Sequence, residues 1–197
     1  MTTIIHRCHW CGTDPDYVRY HDQVWGRPVR DSQALFAKLC LEGQQAGLSW
    51  ITILRKQRHY ENAFCQFNPH ELVTMPQAQR DALIHNPGIV RNRLKIAAIF
   101  KNAEAYLALA EQGVAFNEFL WGFSQGKPRI FTRQGGDIPA TDEISDAMAK
   151  ALKKLGFSFV GSTICYALMQ AVGMVNDHVV DCHCYASICE QMETFSL

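Results

Sequence analysis

After the breaker Asn86-Pro87-Gly88, the residues Ile89, Leu94, Ile96, Ile99, Phe100, Ala103 and Leu107 recur at helical intervals. Spacing sustained over several turns leaves one regular structure open to the segment, an amphipathic helix. Its apolar stripe must be buried against something, and the rest of the chain supplies further helices. Leu35, Phe36, Leu39 and Cys40 step the same way behind Asp31 or Ser32 as cap. Phe116, Phe119, Leu120 and Phe123 give a shorter helix; Ile144, Met148, Ala151, Leu152 and Leu155 give another. Asn68-Pro69-His70-Glu71 reads as a helix start, with Asn68 as N-cap, Pro69 in the first turn and Glu71 at the capping-box position. A further helix is expected from Gln77 to His85. Residues 1–30 show little periodicity, and GKPRIFTRQGGDIP is the least helical stretch, expected to be a loop with an extended turn. No repeat, low-complexity tract or alternating strand run is found. The expected fold class is all-α with short connections, and 197 residues suit a single domain, 1–197.

The formal net charge is zero, so total charge selects no partner. Its distribution says more. Arg91, Arg93, Lys95 and Lys101 cluster, as do Lys150, Lys153 and Lys154. Local basic faces on a neutral protein suit DNA met in one orientation, although such runs on helices are usually solvated faces. MTTIIHRCHW has no apolar signal region, and FVGSTICYALMQAVGMV is too short and too polar to span a bilayer. The expectation is a soluble cytoplasmic protein of bacterial type, without membrane attachment. There, eight cysteines argue for reduced thiols or metal over disulfides.

Chemistry concentrates in LCLEGQQAGLSWITIL, where Glu42 sits among apolar neighbours. A buried carboxylate is costly unless a cation or hydrogen-bond donor meets it. Gly47 breaks the helix, Leu48 falls at a loop tip, and Ser49 is positioned to cap the next helix. This is either a helix–loop–helix corner or a ligand site.

In KALKKLGFSFVGSTICYALMQAVG one helix ends at Leu155-Gly156 and another begins at Gly161-Ser162-Thr163. A tight turn with two glycines, lysines before it and free N–H groups after it forms a phosphate cradle. An ordinary helical hairpin has the same outline, and either would carry no base-sequence information.

Cys8, Cys11 and His21 lie near one end of the chain, and His178, Cys182, His183 and Cys184 near the other. His178 and Cys182, four apart, share a face on a helical turn. Either Cys8 and His21 supply the other two ligands of a tetrahedral zinc site, which would pin the chain ends together, or a Cys8–Cys11 pair does. Cys40, Cys65 and Cys165 sit in apolar patterns and read as buried free thiols.

Together CHW, DYVRYHD, DQVWG, LEGQQAGLSW, NPGIVRNRLKI and LGFSFVGSTICYALMQAVGMVNDHVVDC resemble the 3-methyladenine DNA glycosylase I family, within the helix-hairpin-helix DNA glycosylase superfamily. The resemblance runs from about His6 to Tyr185. It implies two helical lobes with a base pocket between them and one structural Zn2+ per chain, on Cys8, His21, His178 and Cys182. It makes Glu42 the base-recognising carboxylate, with Trp10, Tyr17, Tyr20 and Trp50 around the base and Tyr20 grouped with Glu42 in the chemistry. Gln45, Gly47 and Leu48 become the wedge into DNA, and Gly156, Gly161 and Ser162 the phosphate anchor. The implied partner is double-stranded DNA containing alkylated adenine, bound by a monomer that associates with the nucleoid when on DNA. Extra Cys11, His183 and the tail from Ala186 depart from the pattern.

Related glycosylases carry an aspartate near the end of the helix after the hairpin; Asp177 and Asp181 lie there, and Asp181 is retained as a water-activating alternative. Bifunctional relatives place a lysine two residues after the hairpin's last glycine. This chain has Thr163, so a lyase step is not expected. The H-x-E and P-C-x-x-C pair of nucleobase deaminases is absent, and neither GLSWI nor GFSFV completes a serine-hydrolase elbow. The rival is a damage-binding protein without catalysis.

Overall fold

The computed structural model describes residues 5–135 and 138–197. Helices dominate: α1 (Pro15–Gln23), α2 (Ser32–Gln45), α3 (Trp50–Leu54), α4 (Gln57–Ala63), α5 (Pro69–Thr74), α6 (Gln77–Ala82), α7 (Arg93–Glu111), α8 (Phe116–Gly122), α9 (Glu143–Lys154), α10 (Ser162–Ala171) and α11 (Tyr185–Glu193). The expected all-α class holds, and so does a long helix behind Asn86-Pro87-Gly88, but Ile89 lies before it and Leu94, expected on its buried stripe, is exposed.

Several local expectations are corrected. Residues 1–30 contain α1, whose start is written in Asp14-Pro15. The Asp14 carboxylate accepts from the Asp16 and Tyr17 N–H groups at 3.0 and 3.4 Å, and Pro15 occupies the first turn. An apolar-period search misses it because its buried face carries Tyr20 and His21. Asp31, not Ser32, caps α2, accepting from the Ala34 N–H at 2.7 Å. Asn68 caps α5, but Glu71 accepts from the Asn68 amide side chain at 3.0 Å instead of closing a capping box. The helix begun at Gln77 tightens into a 3-10 turn over Leu83–His85.

The expected loop GKPRIFTRQGGDIP contains a strand, β1 (Arg129–Ile130), paired in parallel with β2 (Val175–Asn176). A further bridge joins Arg133 to Val179. Residues 136–137 of that stretch lie outside the described residues. The tail from Ala186 lies largely in α11, where Ile188 and Met192 are buried, and Phe195 stacks on Trp121 at 4.3 Å.

Buried apolar residues form two clusters. The larger gathers Leu35, Phe36, Ile99, Phe100, Phe116, Leu152 and Met169 from α2, α7, α8, α9 and α10; the smaller joins Cys8, Tyr20 and Trp25 to Cys182, Ile188 and Met192. Each large apolar side chain so buried contributes on the order of 1.5–3 kcal/mol. Trp50 packs against both clusters and marks the seam between the two lobes. Among the described residues no helix is long and apolar enough to cross a membrane.

Candidate active site

A cavity of about 320 Å³ opens at that seam. Its walls include Trp10, Tyr17 and Tyr20 from the N-terminal segment, Glu42 and Gln45 from α2, and Trp50. All five base-site residues expected from the sequence therefore meet in one place. Trp25, Ile138, Ala167 and Gln170 complete the lining and were not foreseen. The aromatics brace one another: Trp10 meets Tyr17 edge-on at 5.4 Å and Trp25 at 5.0 Å, while Tyr20 and Trp50 lie 5.4 Å apart. The indole N–H groups of Trp10 and Trp50 are buried without a partner among the described residues. Two donors left so in a cavity wall are ready for a ligand's acceptors. A larger cleft, about 490 Å³, lies between α6 and α7, but its phenyl ring, Phe100, already has Arg80 over its face at 4.6 Å.

Glu42 is 3% exposed, and no hydrogen bond to its carboxylate is found among the described residues. Burial pushes its pKa up to about 8, against a smaller opposing pull from Lys38 one turn earlier. Lys38 in turn lies 5.2 Å from the Tyr20 ring. Burial, then Glu42 and Tyr17, push the Tyr20 phenol well above its ordinary range, so it stays protonated. The site is an acid short of a cation, enclosed by aromatic faces that favour cations.

Beyond Gln45 the backbone turns at Gly47, with φ +74, where a side chain would be strained. Leu48 follows at the loop tip, 38% exposed. Ser49 precedes α3 but makes no cap bond to a backbone N–H; its hydroxyl pairs with Thr52 at 2.8 Å. Elsewhere, α9 ends at Lys154 with Leu155 as its cap, and Gly156 reverses the chain with φ +97. Gly161 then starts α10, with nothing within 4 Å of where a Cβ would stand. Lys150, Lys153 and Lys154 are exposed beside this turn. The Ser162 hydroxyl is taken by Asp146 and Ser145, leaving only its backbone N–H for a ligand.

The two chain ends meet at a buried group of Cys8, His21, His178 and Cys182, whose ligand atoms lie within 4.8 Å of one another. His178 Nδ1 is 3.4 Å from both sulfurs, and His21 Nε2 is 3.5 Å from Cys182. Tetrahedral zinc would set sulfur and nitrogen ligands about 3.6 Å apart, so this group could hold a metal. Hydrogen bonds from Cys8, His178 and His21 depress the Cys182 thiol, which makes it the readier thiolate. Asp22 accepts from His21 Nδ1 at 2.7 Å and is itself gripped by Arg7, the outer support a ligand histidine needs. His178 lies in the loop after β2 and Cys182 in a bend before α11, not on the expected helical turn, yet they converge all the same. Cys11, the competing ligand, turns its thiol to the Cys8 carbonyl at 3.2 Å. Cys40 and Cys165 are buried free thiols as expected; Cys65 is only half-buried, in a left-handed turn.

The family model for methyladenine glycosylases matches residues 10–185. The chain belongs to that family. It is 49% identical to the DNA-3-methyladenine glycosylase of Haemophilus influenzae, over 95% of this chain and all of the relative. It is also 49% identical to DNA-3-methyladenine glycosylase 1 of Escherichia coli, over 92% of this chain and 97% of the relative. A crystal structure of 3-methyladenine DNA glycosylase I superposes with a TM-score of 0.89 at 50% identity, covering 91% of this chain and all of the other. The Staphylococcus aureus enzyme, solved for its recognition of 3-methyladenine, gives 0.88 at 38% identity, covering 91% of this chain and 96% of the other. Membership of the methyladenine glycosylase family makes the chain an enzyme, a hydrolase acting on N-glycosyl bonds.

Within this glycosylase the two aspartates considered for water activation are placed elsewhere. Asp177 is buried and accepts from Arg133 Nε at 2.9 Å, the Tyr166 hydroxyl at 2.7 Å and Gln170 Nε2 at 3.0 Å. Asp181 is exposed, and neither aspartate lines the cavity. Lys95, counted from sequence among the basic surface residues, is buried; Arg91, Arg93 and Lys101 are exposed.

Proposed function

We propose that this chain extracts 3-methyladenine from double-stranded DNA and hydrolyses its N-glycosidic bond, acting as a monofunctional monomer in the cytoplasm. The observation that carries the reading is Glu42, an unpartnered buried carboxylate in an aromatic-walled cavity. Adenine methylated at N3 within DNA bears a positive charge. It supplies the missing cation, donates from its amino group to Glu42 and offers ring nitrogens to the unpartnered indole N–H groups. Flipping the nucleotide costs a few kcal/mol, less for a poorly stacked damaged base. Stacking on Trp50 or Tyr20 returns about 1–3 kcal/mol, and a desolvated cation over an aromatic face adds on the order of 2 kcal/mol. Unmodified adenine has the same outline without the charge and gains less.

The leaving group is already activated. As the C1′–N9 bond breaks, its electron pair neutralises the charge on the base. Water then adds to C1′ and its proton passes to solvent. Glu42 and Tyr20 hold the base while this happens. Leu48, with Gln45 and Gly47, wedges into the space the base vacates. The hairpin of α9 and α10 works as a helix-hairpin-helix element: Gly156 and Gly161 admit a phosphate to the backbone N–H groups, including that of Ser162. Thr163 offers no amine, so no Schiff base forms with the sugar.

We assign Zn2+, one per chain, to Cys8, His21, His178 and Cys182. All four ligands come from the protein, so its role is to fix the N-terminal cavity wall to the C-terminal segment. Incubating methylated duplex DNA with the protein and assaying released base tests the function: 3-methyladenine should appear, and Glu42→Gln should weaken its release. Tight binding of the lesion without release would support a damage sensor instead.

A further inference from the structure

Two polar side chains on α7 are buried, Lys95 and Asn102, at 5% and 3% exposure. They are seven residues apart, two turns, and so lie on one face about 10 Å apart along the axis. Each grips the backbone of a different segment. The Lys95 ammonium donates to the carbonyls of Gln44 at 2.7 Å and Ala46 at 2.6 Å, the last turn of α2. The Gln44 amide returns a bond to the Lys95 carbonyl at 2.9 Å and accepts from the Tyr60 hydroxyl at 3.2 Å. Asn102 accepts from the Ser158 N–H at 2.7 Å and donates to the Ser158 carbonyl at 3.2 Å, inside the hairpin turn. The two segments also touch, for a Cβ on Gly43 would stand 3.2 Å from Phe159.

We infer that α7 is a strut: Lys95 and Asn102 are positioning residues that fix the spacing between the Gln45–Leu48 loop and the Gly156–Gly161 hairpin. Burying an ammonium against two carbonyls is a costly way to fill space, and an apolar residue would fill it as well. What the ammonium adds is direction. It pins the carbonyls at the end of α2, where a cation is also favoured by the helix dipole. DNA must meet wedge and phosphate anchor together, so an error in their spacing weakens duplex engagement while leaving the cavity intact. This rests on the wedge and anchor roles proposed above.

The test uses the full-length chain carrying Lys95→Met or Asn102→Asp. The second retains the acceptor for the Ser158 N–H but loses the donor and sets a buried carboxylate against the Ser158 carbonyl. Binding of free 3-methyladenine is followed by tryptophan fluorescence, and kcat/KM is measured on a duplex holding one 3-methyladenine. The strut requires kcat/KM to fall tenfold or more while free-base affinity stays within twofold. If either variant weakens both together, or neither, the inference is overturned. Leu48→Ala, run in parallel, separates the two readings. A silent Leu48→Ala with the split intact removes the wedge and keeps the strut; a damaging Leu48→Ala with no split does the reverse.

Discussion

The Cys8 sulfur rests 3.4 Å from Nδ1 of His178, and this contact ties the N-terminal wall of the base cavity to the last loop before α11. Trp10, two residues on, lines the cavity. The Cys/His group also touches the pocket directly, for the His21 ring lies 5.4 Å from Trp10 and the His178 ring 4.6 Å from Trp25, both in the cavity wall. The purified protein should carry about one zinc per chain by elemental analysis. Chelation, or Cys182→Ser, should lower Tm by roughly 10 °C, taking about 3–5 kcal/mol of lost stability at 2–4 °C per kcal/mol. A metal content near zero in fully active protein would sink the assignment.

Gly161 has an ordinary φ of −66 and open space around its Cβ position, so alanine there costs the fold little. What alanine does is stand where a phosphate would approach. Gly161→Ala should leave Tm within about 2 °C while weakening duplex binding, and the loss of one phosphate contact should lower the slope of log affinity against log salt by about 1. An unchanged slope with unchanged affinity would remove the hairpin from the DNA interface.

Trp50 bridges the two buried clusters and lines the cavity with a free N–H, so Trp50→Phe keeps a stacking face and removes the donor. The free base is neutral, and a hydrogen bond between neutral partners is worth about 0.5–1.5 kcal/mol. Free-base affinity should fall by roughly twofold to tenfold, with a near-native circular dichroism spectrum. Equal affinity in the two proteins would show that the indole N–H does not meet the base.

How far the sequence reaches is clear from individual residues. The long α7 and the turn at Gly156 are local signals, set by periodicity and by glycine chemistry. The choice of Cys8 and His21 to face His178 and Cys182 came instead from family resemblance, and the helical turn expected for His178 and Cys182 is absent. The meeting of Glu42 with Trp10 and Trp50 came from family resemblance, because no local rule brings such distant segments together. Gln170 and Trp25 were missed since each sits in a stretch already explained by packing or a turn. Lys95 was misread because a lysine among arginines looks like surface; only the tertiary fold reveals the carbonyls it meets. β1 and β2 were invisible for another reason. Two-residue strands carry no alternation, and their pairing is decided by which loop reaches the end of α10.

Glu42 makes the remaining prediction, and its sign can be worked out. Its carboxyl is raised from 4.5 to about 8 by burial, so the folded protein holds a proton that the unfolded chain releases. The folded state is thus penalised as pH rises from about 4.5 to about 8, and the penalty is full above that window. Glu42→Gln, which cannot ionise, should match the parent Tm near pH 4 and exceed it at pH 8.5 by several degrees, reflecting a few kcal/mol. Activity runs the other way. If the carboxylate is the form that meets the cationic base, kcat/KM should climb about tenfold per unit below pH 8 and level off above it, since that ratio reports the free enzyme. Glu42→Gln should be low and flat across the same range. Lys38, Tyr17 and Tyr20 face the same carboxyl, and Lys38→Met should move the midpoint upward by removing a cation that opposes burial. Parent activity independent of pH between 6 and 9 would mean that ionisation of this acid plays no part in taking up the damaged base.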